Sequence, residues 1–576
     1  MPQVKVSDFI ATFLADQGVR HVYELIGGMI THMIDSIHVD GRIELVSVRH
    51  EQAAAFAADA AGRCTGVPGV AMATSGPGAT NLLTGIASAH FDSSPAVFLT
   101  GQVNRHEQRG ERDIRQLGFQ ETDIVMMAKP VTKGAVRAES PEEVPGLLAW
   151  AFELALEGRP GPVVVDLPMD VQGARIDAPQ PAAQVAIERL TPGREVVDAV
   201  LGDLGVARRP LVVVGAGVQA AGAAAAVREL VQRLGLPVVH SLLGVDVLSS
   251  DDPLRVGLIG SYGNRWANMA VGRADALLVL GARLDIRQTG ADVEAFKGER
   301  TIHHVDVHAP EINNRVQGCH PVVGDVGRFA EAVLAHDAAS DAFADLSDWV
   351  EELADLRRQW PDTEELRDVP GINPNVFMHE LSAMSAAAAA YVVDVGQHQQ
   401  WAAQSLDLVA GQRFLTCGGM GAMGFALPAA IGAAKALERP IVLISGDGCF
   451  QLNIQELQTV VHHRLPLKMV VVDNGCHGMV RQFQESYFSG RYASTWWGYS
   501  APDFAAVAAG YAIQSHRVEG PQDVHEGLAR MWSDPAEPFL LQVPVDSMAN
   551  AYPKLAFGRP ITEMEPLAQP VGMEGT

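Results

Sequence analysis

The sequence predicts an α/β protein made of three doubly wound parallel-sheet domains. Short β-branched runs alternate with Ala-rich runs of helical period along most of the chain, the pattern of strands covered by helices on both faces. The alternation pauses twice, in Pro-containing or charged stretches at 173–196 and 346–372, and 576 residues suffice for three or four domains. Several strand ends run directly into Gly-containing turns that open helices, where parallel sheets bind ligands. The domains are expected at 1–175, 190–345 and 370–548, followed by a tail at 549–576.

Composition narrows the function. A net charge of −25 argues against nucleic acid or an anionic membrane as partner, while leaving room for a local site for small anions. Five cysteines, Cys64, Cys319, Cys417, Cys449 and Cys476, form no CxxC pair, so neither a disulfide framework nor a zinc site is expected and a reducing cytoplasm is the default setting. The N-terminal stretch has acids within its apolar pattern and reads as an amphipathic helix, not a signal peptide. No apolar run approaches the ~18 residues a membrane span requires.

In the first domain, strands are expected at Val22-Tyr23, Glu44–Val48, Val70–Ala73 and Ala96–Leu99. Three features fall at strand ends: Gly27-Gly28, Arg49-His50-Glu51 opening an Ala-rich helix, and the turn from Thr74 through Gly76-Pro77-Gly78 to Asn81. A glutamate at a helix start also complements the helix dipole. Residues 101–123 are charge-rich and read as a loop carrying Phe119 and Gln120; residues 158–172 form a turn, a buried strand and an exit.

The middle domain opens with a strand at Leu211–Val214, then Gly215-Ala216-Gly217 and a helix from Ala220. A lone GxG is a weak sign of nucleotide binding. The third domain opens with a strand at Ala390–Val395 that ends in Gly396-Gln397-His398-Gln399; a Gly-rich segment follows at 418–434.

The most informative stretch is 441–476. A strand at Ile441–Ser445 meets Gly446-Asp447-Gly448, and a helix follows with Leu452, Leu457, Val460 and Val461 on one face. A second strand, Met469–Val472, stops at Asp473-Asn474. Asp447 and Asn474 are hard oxygen donors suited to Mg²⁺ on a diphosphate. The flanking glycines admit close backbone approach, and the helix start offers N–H groups to phosphate.

The spacing from Gly446 to Asn474 resembles the thiamine-diphosphate signature. With RHEQAAAFAADAAGR, SGPGATN and GQHQ-x-WAAQ in order, the chain is similar over nearly its whole length to the acetohydroxyacid synthase (acetolactate synthase) family. The resemblance implies that Glu51 bonds a pyrimidine nitrogen of the cofactor and that Pro77 and Asn81 help hold that ring. It places Gly396, Gln397 and His398 at the diphosphate, with Gly446, Gly448, Cys449 and Met479 around it. It sets Met423 under the bent cofactor and the Gly421 carbonyl on its amino group. Asp447, Asn474 and the Cys476 carbonyl become the Mg²⁺ ligands, and Gly27, Phe119 and Gln120 border the reacting centre. For the middle domain it implies FAD, held by Arg159, Gly215, Gly217, Gly260, Arg283, Arg287, Asp306 and Asp325.

The implied reaction is decarboxylation of a 2-ketoacid such as pyruvate and carboligation of the resulting enamine to a carbonyl acceptor, giving acetolactate when the acceptor is a second 2-ketoacid. Departures from the family pattern fall in two places: at the acceptor pocket Leu25-Ile26 replace Pro-containing sequence and Phe483 replaces Trp, and in the flavin segment Ser261-Tyr262 replace Met-His while Ile286 and Gln288 replace Asp and Val. Asp473 also stands where the family has Asn. Transfer to a specialised ketone such as a ketosugar, or flavin-linked oxidation or simple decarboxylation of the ketoacid, stay open at this point. The family joins one subunit's first domain to another subunit's third, so a homodimer or homotetramer is implied; a regulatory subunit is not legible. The tail, with Met548, Tyr552 and Lys554, is expected to cover the site as a flap.

Overall fold

The computed structural model describes residues 3–177, 184–336 and 345–574, so the middle of the 173–196 connection lies outside the described residues. It holds three six-stranded, all-parallel sheets flanked by helices. The first is ordered Glu44–Ser47, His21–Leu25, Gly69–Ala73, Ala96–Gln102, Pro162–Pro168 and Gly134–Arg137. The third is ordered Arg413–Thr416, Ala390–Val393, Ile441–Gly446, Leu467–Asp473, Phe539–Pro544 and Gln514–Arg517. Numbered within each sheet, both run 2-1-3-4-6-5. The middle sheet is ordered Arg255–Leu258, Val238–His240, Pro210–Val214, Ala276–Leu280, Thr301–Asp306 and His320–Val323, which is 3-2-1-4-5-6.

The central strands are buried along their whole length, which is why Pro210–Val214, Ala276–Leu280 and Ile441–Gly446 are apolar on both faces. The first and third sheets share one core. Helix Glu51–Thr65 packs on helix Ala426–Leu437, and Phe56 meets Phe425 edge to face with centroids 5.4 Å apart.

Four elements differ from the sequence reading. The edge strand Gly134–Arg137 has no apolar run to betray it, because it pairs on one side only and all four residues are half-buried. The strand expected at Ala390–Val395 ends at Val393, since Asp394 turns its side chain to the following loop. The helix expected from Ala220 begins at Ala216 and restarts at Ala224 beyond Gly222, whose φ is +66°. The helix after Gly448 is broken into three pieces around Asn453 (φ −131°, ψ 27°), leaving Leu452 exposed, not on a common apolar face.

The tail runs as a strap between the third and middle domains. Lys554-Leu555 pair with Met564-Glu565, Leu555 N–H donates to Ser261 O (2.7 Å), and Arg265 donates to the carbonyls of Met564 and Glu565. Ile561 joins the core of the middle domain, while Ala549 belongs to that of the third. Among the described residues, no helix is long and apolar enough to cross a membrane.

One ion-pair cluster secures the start of the third domain. His379, in helix Pro374–Met384, meets Asp407 Oδ2 through Nδ1 (2.7 Å) and Asp362 Oδ2 through Nε2 (3.0 Å). Burial pulls the imidazole down, but the two carboxylates outweigh it and push its pKa up to about 9. Because the folded value lies above the unfolded one, this stabilisation is complete below about pH 6.5 and is lost as pH rises through about 9. His379→Gln should therefore lower the unfolding free energy by roughly 1–2 kcal/mol at pH 6, after allowing for partial exposure, and by little at pH 10. Urea unfolding of both proteins at the two pH values measures this.

Candidate active site

The carboxyl ends of the first sheet gather the residues singled out in that domain. Glu51 opens its helix, is buried, and accepts from Asn81 Nδ2 at 2.9 Å. His50 caps the helix, with Nδ1 accepting from Gln52 N–H (3.1 Å). A Cβ on Gly78 would lie 3.2 Å from Glu51 Oε1 and one on Gly27 would lie 2.4 Å from Thr74 Cβ, so both turns press against the same strand end. Gln120 packs on Gly76, while Pro77 and Phe119 point outward; Phe119 is 79 % exposed.

The carboxyl ends of the third sheet gather the second group. Gly446 pairs in register with Val472, so Asp447 and Asp473-Asn474 emerge side by side from adjacent strands. Asn474 Nδ2 donates to Gln397 Oε1 (3.1 Å), and its own Oδ1 accepts from Cys476 N–H (3.3 Å). Gly478 must be glycine: a Cβ there would fall 1.9 Å from Gln397 Oε1. His398 is buried behind Gly396 and Gly446, and its Nε2 accepts from Gly446 N–H at 3.2 Å. Burial drives its pKa down to about 3, so the ring is neutral and braces the turn as an acceptor. Cys449 Sγ donates to Val395 O (3.0 Å). Gly421, at φ +67°, has nothing within 4 Å of where a Cβ would stand; Met423 and Met479 are half-buried beside it in sequence and after the Asn474 turn respectively.

Asp447 is 2 % exposed, and burial, with Asp473 adding, pushes its carboxyl up to about 7 against the hydrogen bond from Tyr499. A buried acid lifted by a second acid marks a place where a cation is electrostatically favoured. The oxygens present, carboxylate, amide and backbone carbonyl, suit Mg²⁺.

Three residues escaped the sequence reading. Tyr499 donates to Asp447 Oδ2 at 2.9 Å and stacks edge-on with His477. Asp394, 1 % exposed, accepts from the N–H groups of Val395, Gly424 and Ala426 and from the Ser445 hydroxyl. Asp92, from the first domain, accepts from Gly418 N–H (3.0 Å) and Gly419 N–H (2.6 Å) of the Gly-rich loop. An acid at a strand end was the available signal for Asp394; Asp92 lies in the HFDSSP continuation of the SGPGATN segment, and Tyr499 lies in a segment without a motif.

In the middle sheet, Gly215, Gly260, Arg283 and Asp325 follow strand ends and Asp306 closes its strand, all along one edge. The glycines have an internal reason: Cβ atoms on Gly215 and Gly217 would strike Gly281 and Ala282, and one on Gly260 the Arg287 carbonyl at 2.1 Å. Arg287 lies over the Tyr262 ring and Arg283 pairs with Asp285. Asp306 is buried, its carboxyl raised by that burial. Arg159 is paired with Glu311 and Ser93, and Asp325 caps a helix and pairs with Arg189.

Comparison with known proteins gives a consistent result. Residues 4–127 match the thiamine pyrophosphate enzyme N-terminal TPP binding domain, 197–333 the central domain, and 394–543 the C-terminal TPP binding domain. The chain is 37 % identical to acetolactate synthase isozyme 2 large subunit of Escherichia coli, covering 97 % of this chain and 98 % of that one. It is 36 % identical to acetolactate synthase large subunit of Corynebacterium glutamicum (93 % and 86 % covered) and 36 % identical to acetolactate synthase 2, chloroplastic, of Zea mays (97 % and 88 %).

Asp394→Ala would leave three buried N–H groups unpaired. It should cost about 2–4 kcal/mol. Amide exchange should accelerate selectively at residues 418–426; equal thermal stability in the two proteins would contradict the bracing role.

Proposed function

The chain belongs to the acetolactate synthase large-subunit family of thiamine pyrophosphate enzymes, and we propose that it condenses two molecules of pyruvate into acetolactate, releasing one CO₂ and taking up one proton. The observation that supports this best is adjacency. The domain that carries Glu51 and the domain that carries Asp447 and Asn474 meet along one seam, where Asn453 Nδ2 donates to Gln52 Oε1 (3.2 Å) and Asp92 holds the Gly-rich loop.

Bound thiamine diphosphate supplies the electron sink that decarboxylation of a 2-ketoacid requires. Asp447, Asn474 and the Cys476 carbonyl would hold Mg²⁺ against the diphosphate, and Gly396, Gln397, His398, Gly446, Gly448, Cys449 and Met479 would shape its bed. Glu51, dry and held by Asn81, keeps a proton in place at the pyrimidine nitrogen. Pro77, Gly421 and Met423 orient the ring, and Gly27, Phe119 and Gln120 line the carbonyl's approach. Phe483, whose ring packs on Tyr487 and Phe488, sits where it would bound the acceptor.

FAD suits the middle domain. Its 3-2-1-4-5-6 strand order is that of dinucleotide-binding sheets, with Gly215 and Arg283 at the switch point. Arg283 and Arg287 offer guanidinium groups for phosphate, and Asp306 and Asp325 carboxylates for hydroxyls; Arg159 would first have to exchange its Glu311 partner. The domain limits 1–175, 190–345 and 370–548 fit this division of labour. Exposed Phe119, Ile26 and Met420 beside the two rims suit a face covered by a second copy, as a homodimer or homotetramer. The Escherichia coli and Corynebacterium glutamicum relatives are named as large subunits, which suits a regulatory partner, and the cytoplasm is the natural setting.

Product analysis tests this. The protein with pyruvate, thiamine diphosphate and Mg²⁺ should give acetolactate and CO₂ one for one. Acetaldehyde as sole product, oxygen uptake in step with turnover, or turnover only with an added ketone would each overturn it. Glu51→Gln should lose at least about 100-fold in kcat while retaining Mg²⁺-dependent cofactor binding.

A further inference from the structure

Helix Glu51–Thr65 is gripped at its first turn by the third domain of the same chain. Glu456 is fully buried, and its Oε1 accepts from Arg49 N–H at 2.9 Å, two residues before Glu51. Its Oε2 accepts from Thr459 Oγ1 (2.7 Å), so both carboxylate oxygens are used as acceptors. Asn453, 1 % exposed, divides its amide hydrogens between Gln52 Oε1 (3.2 Å), one residue after Glu51, and Gly424 O (2.8 Å). Gly424 belongs to the loop that carries Gly421 and Met423. The Glu51 carboxylate is held from another direction, by Asn81 of its own domain. Asn453 breaks the helical path after Gly448, and that break is what brings its amide to the seam.

We propose that Asn453 and Glu456 are positioning residues for Glu51, forming a clamp within one chain that fixes the start of the Glu51 helix against the third domain. The inference rests on the reading that Glu51 acts on the cofactor's pyrimidine. Its consequence is that the ten residues from Asp447 to Glu456 serve two purposes. Their first residue faces the diphosphate, and the carboxylate at their end registers the Glu51 helix. Neither clamp residue touches the reacting atoms. Loss of either would loosen the turn that carries Glu51, and sub-ångström errors at a proton-transferring group are costly.

The test uses the full-length protein. Glu456→Ala removes the acceptor for Arg49 N–H; Glu456→Gln keeps an oxygen there and an amide that Thr459 can accept from. Asn453→Asp keeps size and removes both donors, and serves if Glu456→Ala does not fold. In the cofactor-free protein, hydrogen exchange over residues 48–54 should rise at least about tenfold in Glu456→Ala and Asn453→Asp, and should stay near wild type in Glu456→Gln. With thiamine diphosphate and Mg²⁺ bound, exchange of the cofactor's C2 proton and kcat should fall about 10–100-fold in the first two variants, with KM for pyruvate within about threefold. Wild-type exchange at 48–54, or lost protection spread evenly over the chain, would overturn the clamp. Glu51→Gln is the separate control. Full activity in that variant defeats the reading of Glu51, whereas the exchange at 48–54 in cofactor-free protein reports on the clamp alone.

Discussion

The helix that begins at Glu51 lies in a socket with no spare room. A Cβ on Gly69 would fall 1.8 Å from Ala58 O, one on Gly432 2.1 Å from Ala57 O, and one on Gly85 2.2 Å from Ala55 Cβ. Strand, neighbouring helix and the third-domain helix therefore all approach this helix nearly to backbone contact. The alanines on its surface are a requirement of that approach and are not mere filler; larger side chains would force the partners apart at a cost of about 1–3 kcal/mol each. Because the same helix belongs to the core of two sheets, its N-terminus cannot shift without moving the seam between them.

Charge at that seam follows the same economy. Buried Asp394 is satisfied by several N–H donors, whereas buried Asp447 accepts from Tyr499 and feels the charge of Asp473 on the next strand. The neutral His398 between Gly396 and Gly446 adds no positive charge to relieve Asp447. A cation is therefore electrostatically favoured beside this pair. Asp473 itself is engaged by Gln542 Nε2 (2.8 Å) and Gly475 N–H (3.2 Å), which keeps its carboxylate turned along the strand end, so the departure from Asn at this position is accommodated by local hydrogen bonds.

Much of this was legible because the informative residues lie within single strand–turn–helix units. The three sheets, Glu51 at a helix start, and Asp447 and Asn474 at successive strand ends follow from local pattern and spacing, whereas Gln397 was singled out only by the family resemblance and its bond to Asn474 is a tertiary contact. What stayed hidden depends on contacts between distant segments. Asp92 and Gly418 are 326 positions apart, and Glu456 reaches Arg49 across 407. The break at Asn453 violates an otherwise convincing helical period, and tertiary bonds to Gln52 and Gly424 overrule that local preference. The GxG of the middle domain was a weak sign from sequence, and its glycines have an internal reason: Cβ atoms there would strike Gly281 and Ala282. The order of the strands in that sheet is something no local pattern reveals.

The tail links the two halves of that argument. Ala549 O accepts from Gln397 Nε2 (2.9 Å), and Ala551 exchanges hydrogen bonds with Gln482 on the helix after the Asn474 turn. A few residues on, Leu555 is bonded to Ser261, next to Tyr262, and Lys554 is buried against Glu565 and Glu574. One short strap thus bonds the Gln397–Asn474 corner to the segment where Ser261-Tyr262 replace the family's Met-His. Phe483 lies on the same helix as Gln482. The substituted positions 261, 262 and 483 therefore share a mechanical neighbourhood, although they are more than two hundred residues apart in sequence. A change at one of them alters the support of the others through the strap, whose other end holds Gln397 and, through it, Asn474.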